Sequence, residues 1–179
     1  MNTKELLAQK IGHCQKIRNE LEFSYSWISK EPIDGNWVKE LDNDPLKKER
    51  VSAFCGRFGK LQDYFSDKLL KTWVEAVGED VGTAIENFSV AERAGILTIK
   101  SEDILYLRKL RNDLTHEYTE DRDLFAEKLR AAIESAEGLF RMLDNLKLYS
   151  SKHLGVDTGI CDKCNSDPCV CEKPGFPRP

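Results

Sequence analysis

The sequence predicts an all-α fold, an up-and-down helical bundle followed by a short cysteine-rich tail. Three observations predict it. Apolar residues recur at three- and four-residue steps over most of the chain up to Tyr149. No alternating strand pattern of useful length appears. Short turn-bearing connections join long amphipathic segments, and such connections make consecutive helices antiparallel neighbours.

The first helix runs from about Thr3 to Ser29, with Leu7, Ile11, Cys14, Ile17, Leu21, Tyr25 and Ile28 along one face. Glu31-Pro32-Ile33-Asp34-Gly35-Asn36 ends it with turn residues. Trp37, Val38 and Leu41 lie in what reads as a polar linker. Asp44 before Pro45 is an N-cap followed by proline at the first helical position. The second long helix carries Val51, Phe54, Phe58, Leu61, Phe65, Leu69, Trp73 and Ala76. Gly56 and Gly59 within it mark close-packing positions or a bend. Gly78 and Gly82 flank a loop, and Ser89-Val90-Ala91-Glu92 fits a capping box opening a short helix that ends at Gly95. Ser101-Glu102-Asp103 is expected to cap the next helix, its acids suiting the positive end of the dipole. Asp121 is expected to cap the last one, with Leu124, Lys128, Leu129, Ala132, Ala136, Phe140, Leu143 and Leu146 at helical spacing. The bundle is therefore expected over residues 1–149 and a linker with the cysteine tail over 150–179. Trp27, Trp37 and Trp73 read as core or linker packing.

At 179 residues the chain is about one domain, long enough for a real core. A net charge of −4 is not a generic nucleic-acid-binding composition, so any such contact needs a local basic patch. No apolar run is long enough to span a membrane, and the N-terminus opens amphipathic sequence instead of a signal-peptide block, so the expected location is cytoplasmic. Cys14 and Cys55 occupy apolar helical positions. The other cysteines form Cys161-x-x-Cys164 and Cys169-x-Cys171. Four thiolates make a closed tetrahedral zinc site, structural and not catalytic, because no position is left open for water. The loop between the pairs, Asn165-Ser166-Asp167-Pro168, is shorter than in a zinc ribbon. The other reading is a reduced tail that binds metal only adventitiously.

The stretch richest in chemistry is Arg111-Asn112-Asp113-Leu114-Thr115-His116-Glu117-Tyr118. On an ideal helix Leu107, Leu110 and Leu114 make the buried stripe, while Arg108, Arg111, Asn112, Thr115 and His116 spread over one polar arc. His116 sits roughly 140° around from Arg111, so one site can use both only if it is wide, if the helix ends near His116, or if a second chain completes it. Each residue alone also has a structural explanation. A histidine at a helix end pairs with the dipole, Arg111 can pair with Asp113 or Glu117, and Tyr118 can pack at the core edge.

Arg111, four residues, His116, Glu117 and Tyr118 together resemble the R-x4-H-x-Y motif of the HEPN superfamily, and within it the HepT-like toxins. The polar Asn112 after the arginine and the late position of the motif helix agree with that family. The resemblance covers roughly residues 1–149 and leaves out the Gly35 to Asp44 segment and the tail. It implies a HEPN-type bundle acting as a metal-independent endoribonuclease, the toxin of a toxin–antitoxin pair with a nucleotidyltransferase, with a site formed across a homodimer. The residue chemistry fits that activity. Histidine chemistry suits removal of the 2′-hydroxyl proton, the role the resemblance gives His116. Arg111 suits the charge of the phosphorane, and Asn112 suits orienting either partner. The family further implies that Tyr118 accepts an adenylate from the nucleotidyltransferase. No catalytic cofactor is expected. A second function class stands beside this one: a non-catalytic HEPN binding module that partners a nucleotidyltransferase or another nucleotide-handling protein. The intact motif favours the enzyme, and the acidic charge and extra tail favour the module.

Overall fold

A computed structural model describes residues 2–116 and 121–159, whose regular structure is all helical, with no strand among the described residues. The elements are α1 (Thr3–Ile28), α2 (Gly35–Glu40), α3 (Pro45–Tyr64), a π-helical segment (Phe65–Leu69), α4 (Leu70–Ala76), α5 (Ala84–Arg93), a 3-10 turn (Ser101–Asp103), α6 (Ile104–His116) and α7 (Arg122–Leu154).

Side-chain pairings give the packing order. Lys10 reaches Thr72, His13 stacks near Tyr64, and Lys60 pairs with Glu20, so α1 runs antiparallel to α3 and α4. Lys147 reaches Gln15 while Tyr25 bonds Glu137, so α7 is antiparallel to α1. Arg111 meets Asp63 and Arg108 meets Asp67, so α6 is antiparallel to α3. Helices α6 and α7 also pack together, with Asp113 of one paired to Lys128 of the other. The four long elements thus form a ring in which each neighbour is reversed, the up-and-down bundle that the hydrophobic period predicts. Its core is one cluster from Leu7 to Val156, with Phe54, Phe58, Phe65 and Trp73 almost fully removed from solvent.

Local signals explain most helix ends. Asn2 and Glu5 form a capping box on α1. Asp44 accepts from Lys47 N–H at 2.9 Å and Asp121 accepts from Leu124 N–H at 3.0 Å, both as expected from the sequence. Several elements differ from the sequence reading. The presumed linker contains α2, capped by Asp34, whose Trp37, Val38 and Leu41 are buried and which packs on α7. Six residues are too few to display a helical period, and tertiary docking decides the conformation.

The second long helix is interrupted at Phe65–Leu69, where one turn widens to π geometry, and not at the glycines. The short helix α5 begins earlier than Ser89. Thr83 and Glu86 make the capping box, Asn87 bonds both backbone groups of Gly82, and the Ser89 hydroxyl instead donates to the Ile85 carbonyl. The earlier start turns Phe88 and Ala91 into the core. Hydrogen bonds from Thr83 also hold the Glu86 carboxyl below its ordinary pKa. The Ser101 hydroxyl donates to Glu92 at 2.7 Å, and the 3-10 turn leads into α6. In α7 it is Phe125 that is buried, while Leu124 is exposed and Lys128 forms the ion pair with Asp113. This helix passes Tyr149 and stops at Leu154, where Gly155 takes φ 62° and Val156 folds back into the core. The left-handed cap needs a residue without a Cβ. No helix of the described residues is long and apolar enough to cross a membrane.

Candidate functional site

The outer face of α3 forms the floor of an open groove of about 890 Å³, with α1 and α6 as its walls. Gly56 faces open space, so the floor is bare there. Gly59 lies under the Arg111 side chain, where a Cβ would stand 3.2 Å from Arg111 Cγ. Of the two glycines noted in the sequence, Gly59 is the close-packing one: it lets the arginine stem cross α3 at short range.

Arg111 and Asn112 of the motif enter this groove together with Arg108. The α6 stripe of Ile104, Leu107, Leu110 and Leu114 is buried against the bundle, which turns the polar arc outward, as the ideal-helix projection places it. One Arg111 nitrogen donates to Asn112 Oδ1 at 2.8 Å, and the other pairs with Asp63. Arg108 bonds Asp67 at 3.2 Å. Asp113 pairs with Lys128 at 3.1 Å, while Arg111 pairs with Asp63; Glu117, the other partner considered for Arg111 from the sequence, lies outside the described residues. His116 is the last described residue of α6. Tyr118 lies outside the described residues, as do Cys161, Cys164, Cys169 and Cys171. Among the described residues no group of three or more His, Cys, Asp or Glu side chains is placed to hold a metal ion.

The groove also contains residues that the linear sequence does not mark. His13 from α1 and Tyr64 from α3 face each other with ring centroids 4.6 Å apart. Burial is the main reason that the Tyr64 hydroxyl is held above its ordinary pKa, with Cys14 adding to the effect. Lys60 and Lys68 complete the cationic lining. Lys60, Lys68, Arg108 and Arg111 thus face Asp63 and Asp67, leaving the groove positive on an acidic protein. The only trace of this grouping in the sequence is position on the solvent faces of α1 and α3. Such faces carry no periodic signal that says which of them will meet.

What the arrangement offers is anion recognition. Two guanidinium groups and two ammonium groups border a concave floor with little side-chain bulk, and the carboxylates on Arg111 and Arg108 occupy the positions a phosphate would take. Comparison with protein-family models, with curated proteins and with solved structures finds no match for this chain.

Proposed function

We propose that this chain is a metal-independent endoribonuclease of HEPN type and the toxin of a toxin–antitoxin pair with a nucleotidyltransferase. The observation that carries the reading is the placement of Arg111 and Asn112 together on the wall of a cation-lined groove, on the helix whose described residues reach His116. In this reading a phosphodiester replaces the Asp63 carboxylate on Arg111. The guanidinium then meets the charge developing on the phosphorane oxygens, and His116 takes the 2′-hydroxyl proton, so that the 2′-oxygen attacks the adjacent phosphate, the P–O5′ bond breaks and the leaving 5′-oxygen takes a proton from water. The products carry 2′,3′-cyclic phosphate and 5′-hydroxyl ends. Purified protein incubated with labelled RNA in chelator should cleave at nearly the rate seen without chelator. Loss of all cleavage in chelator, with recovery on adding Mg²⁺, would sink the mechanism.

The acting species in this reading is a homodimer joined through α6. Support comes from Leu105 and Tyr106, each 56% exposed on the helix that carries the motif. Tyr118, two residues beyond His116, is the proposed adenylate acceptor. The added phosphate would bring negative charge close to the group that must bind RNA.

A second reading, the non-catalytic HEPN module, is favoured by the Asp63–Arg111 pair, since an arginine already held by a carboxylate must be released before it can bind phosphate. RNA cleavage in the chelator experiment decides between the two.

For the tail we propose one structural zinc on Cys161, Cys164, Cys169 and Cys171. The thiols of the chain separate the outcomes. Burial pushes Cys14 and Cys55 up to about 12, so both stay thiols and resist alkylation near neutral pH. The purified protein should contain about one zinc per chain, and it should expose four fast-reacting thiols only after chelation. Metal-free protein with four fast thiols at the outset would favour adventitious binding.

A further inference from the structure

Beyond the groove, the seam between α1 and α3 carries a row of ring and cation pairs. On α1, His13, Glu20 and Trp27 recur every seven residues, and on α3 Arg50, Arg57 and Tyr64 do the same. Seven residues are close to two turns, so each trio lies on one stripe. Antiparallel packing sets the stripes face to face. His13 meets Tyr64 at 4.6 Å between ring centroids, and Lys60 bonds Glu20 at 3.0 Å. Arg57 lies 5.9 Å from the Phe23 ring centre and Arg50 lies 5.2 Å from that of Trp27. Trp27 is backed by Trp37, which in turn lies 4.5 Å from the Lys47 ammonium. Phe23 is 76% exposed, an unusual position for a phenylalanine on a protein with a complete core.

One exposed apolar ring needs no explanation. A line of rings with Arg57 by Phe23, Arg50 by Trp27 and Lys47 by Trp37, leading into a cation-lined groove, has a definite chemistry. Single-stranded nucleic acid is held by cations that follow its phosphates and by aromatic faces on which its bases stack. We propose that the α1–α3 seam is a binding track for single-stranded RNA that delivers the strand to Arg111. Arg50, Arg57 and Lys60 meet phosphates, while Phe23 and Trp27 offer faces to bases. From His13 to Trp27 the helix rises about 21 Å, enough for several nucleotides. A paired duplex cannot use this surface in the same way, because its bases are already stacked on one another. The inference rests on the ribonuclease reading for where the strand leads, but the binding itself does not depend on cleavage.

The test uses the full chain and a fluorescently labelled single strand of 2′-O-methyl RNA, which lacks the attacking hydroxyl and cannot be cut by the proposed chemistry. Failure of cleavage and failure of binding are then separate results. The Phe23→Ala, Arg50→Ala double variant should weaken binding about tenfold or more at low salt, whereas Phe23→Tyr, which keeps a stacking face, should leave it nearly unchanged. Both substitutions are at exposed side chains, and unchanged circular dichroism and melting would show that the fold survives. Unchanged affinity in the double variant would overturn the track. So would an equal loss for duplex RNA, which would indicate phosphate attraction without stacking. A lowered sedimentation coefficient in the variant would also overturn it, because the seam would then be covered by a second copy of the chain.

Discussion

On the ribonuclease reading, His116→Ala should lower RNA cleavage in chelator by about 10²–10⁴-fold, the range that a positioned general base contributes. Arg111→Ala should lower it by about 10²–10³-fold, as expected for loss of one group that stabilises transition-state charge. Arg111→Lys recovers only part of that loss, because an ammonium keeps the charge but not the planar fork that bonds Asn112 and Asp63 here. The double variant falls little below the worse single one, since the two groups act on one transition state. If the site takes its arginine from one chain and its histidine from the other, mixing the two single variants forms heterodimers with one intact site. Random exchange then restores about a quarter of wild-type activity, the half of the dimers that are mixed times the half of their sites that are whole. A site contained in one chain restores nothing on mixing. Full activity in His116→Ala would remove the histidine from the chemistry altogether.

The second large effect is on stability. Trp73→Ala should cost about 3–5 kcal/mol, the usual range for emptying a large aromatic site in a packed core. Trp73 has no solvent exposure and stands edge-on to Tyr149, 5.4 Å between ring centroids, so it joins α4 to the end of α7. For a domain of this size the loss corresponds to a fall in Tm of about 10 °C. Trp73→Phe should cost much less. It keeps most of the ring volume, and the indole N–H it removes has no hydrogen-bond partner among the described residues. Urea titration checks both, with the midpoint shifting and the slope unchanged. Equal losses for the two variants would mean that the indole nitrogen carries the energy, against the packing account.

The long helices were legible in the sequence because their information is local. A residue at the core face of α1 is followed by another three or four positions later, and Asp44, Pro45 and Asp121 mark helix starts by satisfying free amides within one turn. The same locality exposed the division of α6 into a leucine stripe and a polar arc containing Arg111 and Asn112. It failed where local signals competed or were too short. Two segments of the Gly82 to Gly95 region satisfy the capping-box pattern, and burial of Phe88 selects the earlier one. Helix α2 shows no period in six residues and forms against α7.

By itself the sequence determined an all-helical bundle, the positions of its long amphipathic helices and the face of α6 that carries the motif. Tertiary structure alone decided that His13, Tyr64 and Arg111 share a groove, that Asp63 and not Asp113 holds Arg111, and that Gly59 makes room for it. Helical periodicity tells each segment which side to bury. The partners of an exposed side chain are set by how whole helices register against one another, and that register depends on the summed packing of side chains distant in the chain.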